Sequence, residues 1–338
     1  MQNLGRTCHA VTALGRTSRW FSRLEVRRRL GATVARVGVV TVAGILIAPS
    51  MPAAAASGAS ASSSGAILSP LRAGWPPQQA VRPARGSTWR AGFESGDFSE
   101  WTWWRRNDGC SLSTGEPGGP IPPLEGERAG RFETSRACLD RGKSHSKLFK
   151  EWALASPQSR WRDDGGRPLE RLPKDSPTGA YRASFFVARG YRASEPWTNI
   201  FQLKESYLDD SGASRQDPQW WLNISPAGQW SSAAAPGSRP DAPVLHVNHW
   251  GQDYSSYRPS LRLVPLGRWF EIRAEIFAGE RIDWYLDDEL FDRSVQGEYP
   301  IGFSKSRPTG WTFGVGHYDG VGALWVDDAS FASPTPSP

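Results

Sequence analysis

Cysteine is scarce in this chain, with three in 338 residues. Long apolar runs are scarcer. The best, Val37-Gly-Val-Val-Thr-Val-Ala-Gly-Ile-Leu-Ile-Ala48, is too short and too broken by glycine to read as a membrane span. Outside the first 56 residues no helical pattern of ten residues can be found, which excludes a helix-built domain. An excess of positive charge is also missing from most of the chain, although the whole carries +6. Residues 1–56 hold eight Arg and one Glu, which leaves 32 basic and 33 acidic residues in the remainder, a net charge of −1. The sequence pI of about 9.4 is thus mostly a property of the leader. A polycation that coats nucleic acid is excluded, and no nucleic-acid partner is expected.

The leader has a recognisable layout. An Arg-rich stretch (Arg16 to Arg36) precedes the apolar run, and small residues follow at Ala53-Ala-Ala-Ala-Ser57. That is the order of a secretory signal, so residues 1–56 are expected to be removed and the protein to be secreted, with no membrane attachment afterwards. Cys8 leaves with the leader. Cys110 and Cys138 remain, and in an oxidising compartment they are expected to form a disulfide. Residues 57–90, rich in Ala, Ser and Gly and then in Pro and Arg, read as a disordered linker, and 333–338 as a Pro-rich tail.

Residues 91–332 read as one all-β domain. Short alternating or apolar runs recur, among them Gly179–Ala188, Asn199–Lys204, Gln219–Ile224, Val244–His249, Trp269–Phe277 and Arg281–Leu286, separated by Gly, Pro, Asn and Asp. Asp287-Asp288 signals a hairpin turn. Ser156–Thr178, with four prolines, reads as an inserted surface loop. Many even strands with this punctuation predict a β-sandwich or jelly roll of two antiparallel sheets. Sixteen tryptophans lie beyond the leader. Most are expected to pack in the core or its rim, and their density also suits a carbohydrate partner, because indole faces stack on sugar rings. Trp311–Phe331 reads as two strands joined by a Gly-rich turn, with His317 and Tyr318 at the end of the first. In the second, Leu324, Val326 and Asp328 alternate against Trp325 and Asp327.

Three stretches resemble the heparin lyase I-like polysaccharide lyases, which share a concanavalin-like jelly roll with alginate and glucuronan lyases. They are Gly92-Phe-Glu-Ser-Gly-Asp-Phe-Ser-Glu-Trp101, which looks like the first strand, Pro265-Leu-Gly-Arg-Trp-Phe-Glu-Ile-Arg-Ala274, and Gly322-Ala-Leu-Trp-Val-Asp-Asp-Ala-Ser-Phe331. The resemblance implies a concave substrate groove and cleavage of a uronic-acid polysaccharide by β-elimination. That chemistry needs a donor to neutralise the sugar carboxylate, a base for the C5 proton and an acid for the departing oxygen.

On this resemblance Gln202 neutralises the carboxylate, His145 or Lys204 is the base, and Tyr318 is the acid. Lys204 stands where relatives carry His, and Gly314 where alginate lyases carry Lys. Lys147, His249, His317 and Arg131 are the expected substrate-binding residues, with His317 ranked below Tyr318 because alternation turns it to the other face. No cofactor is required for catalysis. Glu94, Asp97 and Asp327 would meet if the first and last strands pair, and could hold a structural Ca²⁺. A monomer acting on an acidic polysaccharide is expected. A non-catalytic, lectin-like domain of the same fold is the alternative. A glycoside hydrolase is third, since it needs two carboxylates about 5 Å apart and Glu280-Arg-Ile-Asp283 does not supply them on one face.

Overall fold

A computed structural model describes residues 87–115, 121–139, 144–155, 167–193, 197–229, 239–249 and 260–334. All fall in the unit Arg72–Pro338. The expected signal segment 1–56, most of the expected linker, and 335–338 of the expected tail lie outside the described residues, as does 156–166 of the expected loop. None of the described helices is long and apolar enough to cross a membrane.

The strands are β1 (Ser87–Ala91), β2 (Trp103–Arg106), β3 (Ser111–Thr114), β4 (Gly130–Thr134), β5 (His145–Ala153), β6 (Glu170–Arg171), β7 (Gly179–Val187) and β8 (Thr198–Leu208). They continue with β9 (Ser214–Pro226), β10 (Pro243–His249), β11 (Arg262–Leu263), β12 (Trp269–Phe277), β13 (Arg281–Leu286), β14 (Glu289–Val295), β15 (Pro308–Tyr318) and β16 (Gly322–Ala332). A four-residue helix, α1, spans Arg136–Leu139.

Two eight-stranded sheets face each other. The first runs β14-β13-β12-β7-β16-β4-β3, with β1 also on β16. The second runs β11-β10-β9-β8-β15-β5-β2, with β6 on β5. Every pairing is antiparallel except β5 with β6. The expected all-β sandwich of antiparallel sheets is therefore what the chain forms.

Alternation builds the core. Leu148 and Trp152 of β5, Phe201 and Leu203 of β8, and Trp311, Phe313 and Val315 of β15 point inward to meet Tyr181, Phe185, Ile272 and Trp284 of the first sheet. Tryptophan fills much of this space: Trp89, Trp101, Trp152, Trp220, Trp284 and Trp311 are all buried. Glu205 continues the inward row of β8 and is fully buried. Its carboxylate accepts from Ser304 N and Oγ, Lys305 N and Gln219 Nε2, so four donors replace the lost water.

Several boundaries differ from the expectation. The first strand is Ser87–Ala91, so residues 87–90 belong to the sandwich rather than the linker, while Gly92–Trp101 is a run of turns. The Asp287-Asp288 turn is present, and both residues take positive φ (49° and 67°), the conformation a two-residue hairpin demands. Of the expected surface loop, the described part contributes β6 beside β5 and buries Leu172 in the core.

In β16 the inward row does not run Leu324, Val326, Asp328. A bulge lies between Asp327 and Ser330, with Asp328 at φ 45°. Parity shifts there, so Ala329 and Phe331 enter the core and Asp328 instead meets Arg90 at 2.7 Å. The expected glycine-rich turn before β16 is present. It carries the chain from the second sheet to the first, with Asp319 and Gly320 at φ 56° and 76°. A Cβ at Gly320 would lie 2.2 Å from Thr198 Oγ1, so both space and backbone require glycine there.

Cys110 and Cys138 form the expected disulfide, closing a separation of 28 residues. It ties the β2–β3 turn to α1, just ahead of β5. Cys138→Ser should lower stability by about 3 kcal/mol through the freed unfolded chain. Thermal melts of the two proteins check this, and equal midpoints would show that the bridge contributes nothing.

Candidate functional site

Residues of the second sheet that alternate with the core row point away from it. On β5 these are His145, Lys147, Phe149 and Glu151, and on β8 they include Gln202, Lys204 and Ser206. β15 lies between these strands. It pairs Tyr318 with His145, Gly316 with Lys147, and Gly314 with both Phe149 and Gln202; Thr312 pairs with Lys204. The four residues expected to carry catalysis, His145, Gln202, Lys204 and Tyr318, thus share one face across three adjacent strands.

The centre of this face is Lys147, not one of those four. Its Nζ donates to Asn199 Oδ1 and, at 3.2 Å, to Gln202 Oε1. It also lies 4.6 Å from the centre of the Tyr318 ring. Asn199 is fixed for this task because its Nδ2 donates to Phe201 O (2.9 Å) and Leu222 O (3.1 Å), leaving Oδ1 for the lysine. Gln202 gives its oxygen to the lysine, so its Nε2 is the group left to donate to a ligand. The His145 ring lies 4.4 Å from that of Tyr318, and Trp197 lies 5.5 Å from it on another side.

A second group sits further along the face. Trp103 of β2 stacks on Phe149 at 4.0 Å and 19°. The Phe149 ring fills the place where a side chain at Gly314 would begin: an added Cβ would meet it at 2.6 Å. Glycine at 314 therefore makes room for an aromatic ring. Lys204 Nζ, reaching from β8, lies 4.2 Å from the Phe149 ring centre and 5.5 Å from that of Trp103. Lys204 also donates to Gln216 Oε1 at 3.3 Å.

Burial and like charge set the electrostatics. Burial holds Lys147 well below the ordinary lysine value, and Lys204 adds to the effect. Burial brings Lys204 down to about 8, Glu151 opposing and Arg105 reinforcing the fall. Tyr318 is pushed up to about 12, by burial first and then by Asp319. A phenol so shifted keeps its proton and suits an acid. Among the described residues Arg105, Lys147 and Lys204 form no ion pair with a carboxylate. The outer face of the first sheet is different: Arg182 meets Glu271 (3.7 Å), Arg273 meets Asp288 (3.0 Å), and Arg293 meets Asp283 (2.6 Å).

Other expected residues lie elsewhere. His317 is fully buried between the sheets. Thr134 Oγ1 gives its only proton to Gly320 O, so it must accept from His317 Nδ1 at 2.8 Å, while Tyr191 OH lies 3.4 Å from Nε2. Burial lowers His317 to about 3, with Lys147 adding to the shift, so the ring is neutral and cannot meet a ligand on the outer face. It braces the turn between the sheets. His249 packs between Trp220 (4.6 Å) and Tyr299 (4.7 Å) on the core side of β10. Arg131 belongs to the outer face of the first sheet, paired with Glu133 at 2.8 Å beside Trp325.

The carboxylates expected to hold Ca²⁺ have separate partners. Glu94 accepts from Glu127 N and Arg128 N, Asp97 from Ser99 N, and Asp327 from Leu124 N and Glu125 N. Among the described residues no group of three His, Cys, Asp or Glu side chains could hold a metal ion. β1 and β16 do pair, but Glu94 and Asp327 serve backbone amides of the loop at 124–128 and Asp97 serves that of Ser99.

Asn199, Trp103, Phe149 and Arg105 were not anticipated. Asn199 shares the odd parity of the core residues Phe201 and Leu203. Only the bulge between Asn199 and Phe201 turns it outward.

Lys204 is protonated in the unfolded chain up to 10.5 but only up to about 8 when folded, so its burial destabilises the fold below pH 8. Lys204→Met should raise stability at neutral pH by up to about 3 kcal/mol, and the gain should fade between pH 8 and 10.5. Urea unfolding across that range checks this, and a gain independent of pH would contradict it.

No protein-family model matches the chain, and no curated protein matches it. Among solved structures it is similar to an endo-β-1,4-glucuronan lyase from the fungus Trichoderma reesei, with 12% identity over 73% of this chain and 96% of that one, at a TM-score of 0.46. An alginate lyase from Pseudomonas aeruginosa gives 14% identity over 61% and 83%, at 0.37. A xylan-binding domain of carbohydrate-binding family 22 gives 13% over 74% and 97%, at 0.33. All three identities lie below 15%.

Proposed function

We propose that the outer face of the second sheet binds an acidic polysaccharide and cleaves it by β-elimination. The observation that carries this reading is the set of cations on that face with no described carboxylate partner, placed around a protonated phenol and a histidine. A lysine drawn out of water beside other cations gains from an incoming anion, because the anion restores its charged form. A uronate carboxylate supplies that anion. Lys147 and the Nε2 of Gln202 would bind it and draw off charge, which acidifies the neighbouring C5–H.

His145 then takes the C5 proton, the electron pair forms the C4–C5 double bond, and the C4–O bond breaks. Tyr318 OH protonates the departing oxygen. The imidazolium and phenolate so produced lie side by side, and the proton returns from His145 to Tyr318 across that contact. Base and acid stand together, so both act on the same side of the sugar ring. Lys204 lies farther along the face, on Phe149 and Trp103, away from this proton exchange.

Incubation with uronate polymers should produce the ultraviolet absorbance of an unsaturated uronate. Tyr318→Phe should cut turnover about 10³-fold, the contribution expected of a placed acid, with affinity for the polymer retained. Binding without product from the parent protein, across glucuronate, mannuronate and hyaluronate-type polymers, would assign the face to carbohydrate binding alone. Full activity in the variant would remove Tyr318 from the chemistry.

A further inference from the structure

The geometry points to a second anion-binding subsite next to the Tyr318 centre, formed by Trp103, Phe149, Lys204 and Arg105, for an acidic group on the neighbouring sugar. It rests on the Tyr318 centre being where the first uronate sits.

The subsite follows from how two lysines cross one strand. β15 offers no side chain at Gly314 or Gly316 toward this face. Lys147 reaches from β5 over that gap to Asn199 and Gln202 of β8. Lys204 reaches the opposite way, from β8 to Phe149 of β5 and Trp103 of β2. Their strands are two spacings apart, about 10 Å, yet both amines end over β15. Lys204 is the largest charge acting against protonation of Lys147. Two cations held this close suit two anions on adjacent sugars better than one.

The surroundings of Lys204 are built rather than incidental. The Trp103 indole is fixed at both ends, stacked on Phe149 and donating Nε1–H to Glu151 Oε2 at 3.2 Å. Glu151 is itself held by Ser206 Oγ at 3.0 Å. Phe149 covers one indole face, and Trp103, on the edge strand, stays half-buried. That offers an amphipathic ring for a sugar to stack on beside a cation. Arg105 follows Trp103 on the same face of β2, pairs in register with Lys147 and is exposed. It lowers both lysines, so all three charges share one field.

The test compares the parent with Lys204→Met and Trp103→Ala on two soluble polymers, one with a carboxylate on every sugar and one in which uronates alternate with neutral sugars. On the fully charged polymer KM should rise about tenfold in each variant, the loss of one charge-assisted or stacking contact, with kcat changed far less. On the alternating polymer the rise should be much smaller for Lys204→Met. An equal rise on both polymers would overturn the subsite. So would a collapse of kcat at unchanged KM, which would put Lys204 in the chemistry. If the parent forms no product on any polymer, the elimination fails but the subsite is still read from equilibrium binding. Lys204→Met should then lose affinity for a fully charged oligomer selectively, and unchanged affinity would overturn it. Because Lys204→Met is expected to be the more stable protein, loss of the fold does not confuse the result.

Discussion

A lysine ammonium out of water, held by two amide oxygens instead of a carboxylate, organises the face on which function is proposed. Lys147 donates to Asn199 and Gln202 and lies over Tyr318, with a second lysine opposing its charge more strongly than Asp319 favours it. A buried cation without a counter-charge costs free energy and tends to surrender its proton. The fold relieves that cost only in part, through Asp319, although it pairs its arginines freely on the opposite sheet. The arrangement makes physical sense if a ligand brings the missing negative charge. The orientation of Gln202, the protonated state of Tyr318 and the neutral interior His317 all follow from the same crowded, water-poor environment.

The glycines of β15 make the crossing possible. With no side chains at 314 and 316, the neighbouring strands lay their long residues over β15 from both sides, and Phe149 takes the volume that a residue at 314 would need. Lys204 reaches across the sheet onto this aromatic platform.

Much of the fold was legible because strand parity is a local property. Phe201–Leu203, Phe313–Val315 and Ile272–Ala274 declare their inward faces by simple alternation, and Asp287-Asp288 declares its turn. His145 and Lys147, like Gln202 and Lys204, could be paired on a face for the same reason. Several misses depend on a bulge or on the choice of sheet. Bulges at 199–201 and 327–330 reverse parity without any mark in composition, hiding Asn199 and misplacing Asp328. Arg131 was expected near substrate, but β4 belongs to the other sheet, a fact of topology that no local pattern encodes. Glu94 and Asp97 were expected to gather with Asp327 because β1 and β16 pair. The pairing exists, yet Glu94 and Asp327 cap amides of the loop at 124–128 and Asp97 caps that of Ser99, a use that spacing alone does not distinguish from metal binding. The Trp103–Phe149 platform needed β2 to lie beside β5, a contact 46 residues apart along the chain at its stacked pair.

The central claim is that a ligand carboxylate completes the charge around Lys147. A crystal structure of Tyr318→Phe with a bound uronate oligosaccharide tests it most directly. The carboxylate should lie within hydrogen-bonding distance of both Lys147 Nζ and Gln202 Nε2, with the C5 hydrogen turned toward His145. An oligosaccharide seated on the first sheet, or bound on this face with its carboxylates turned away from Lys147, would contradict it.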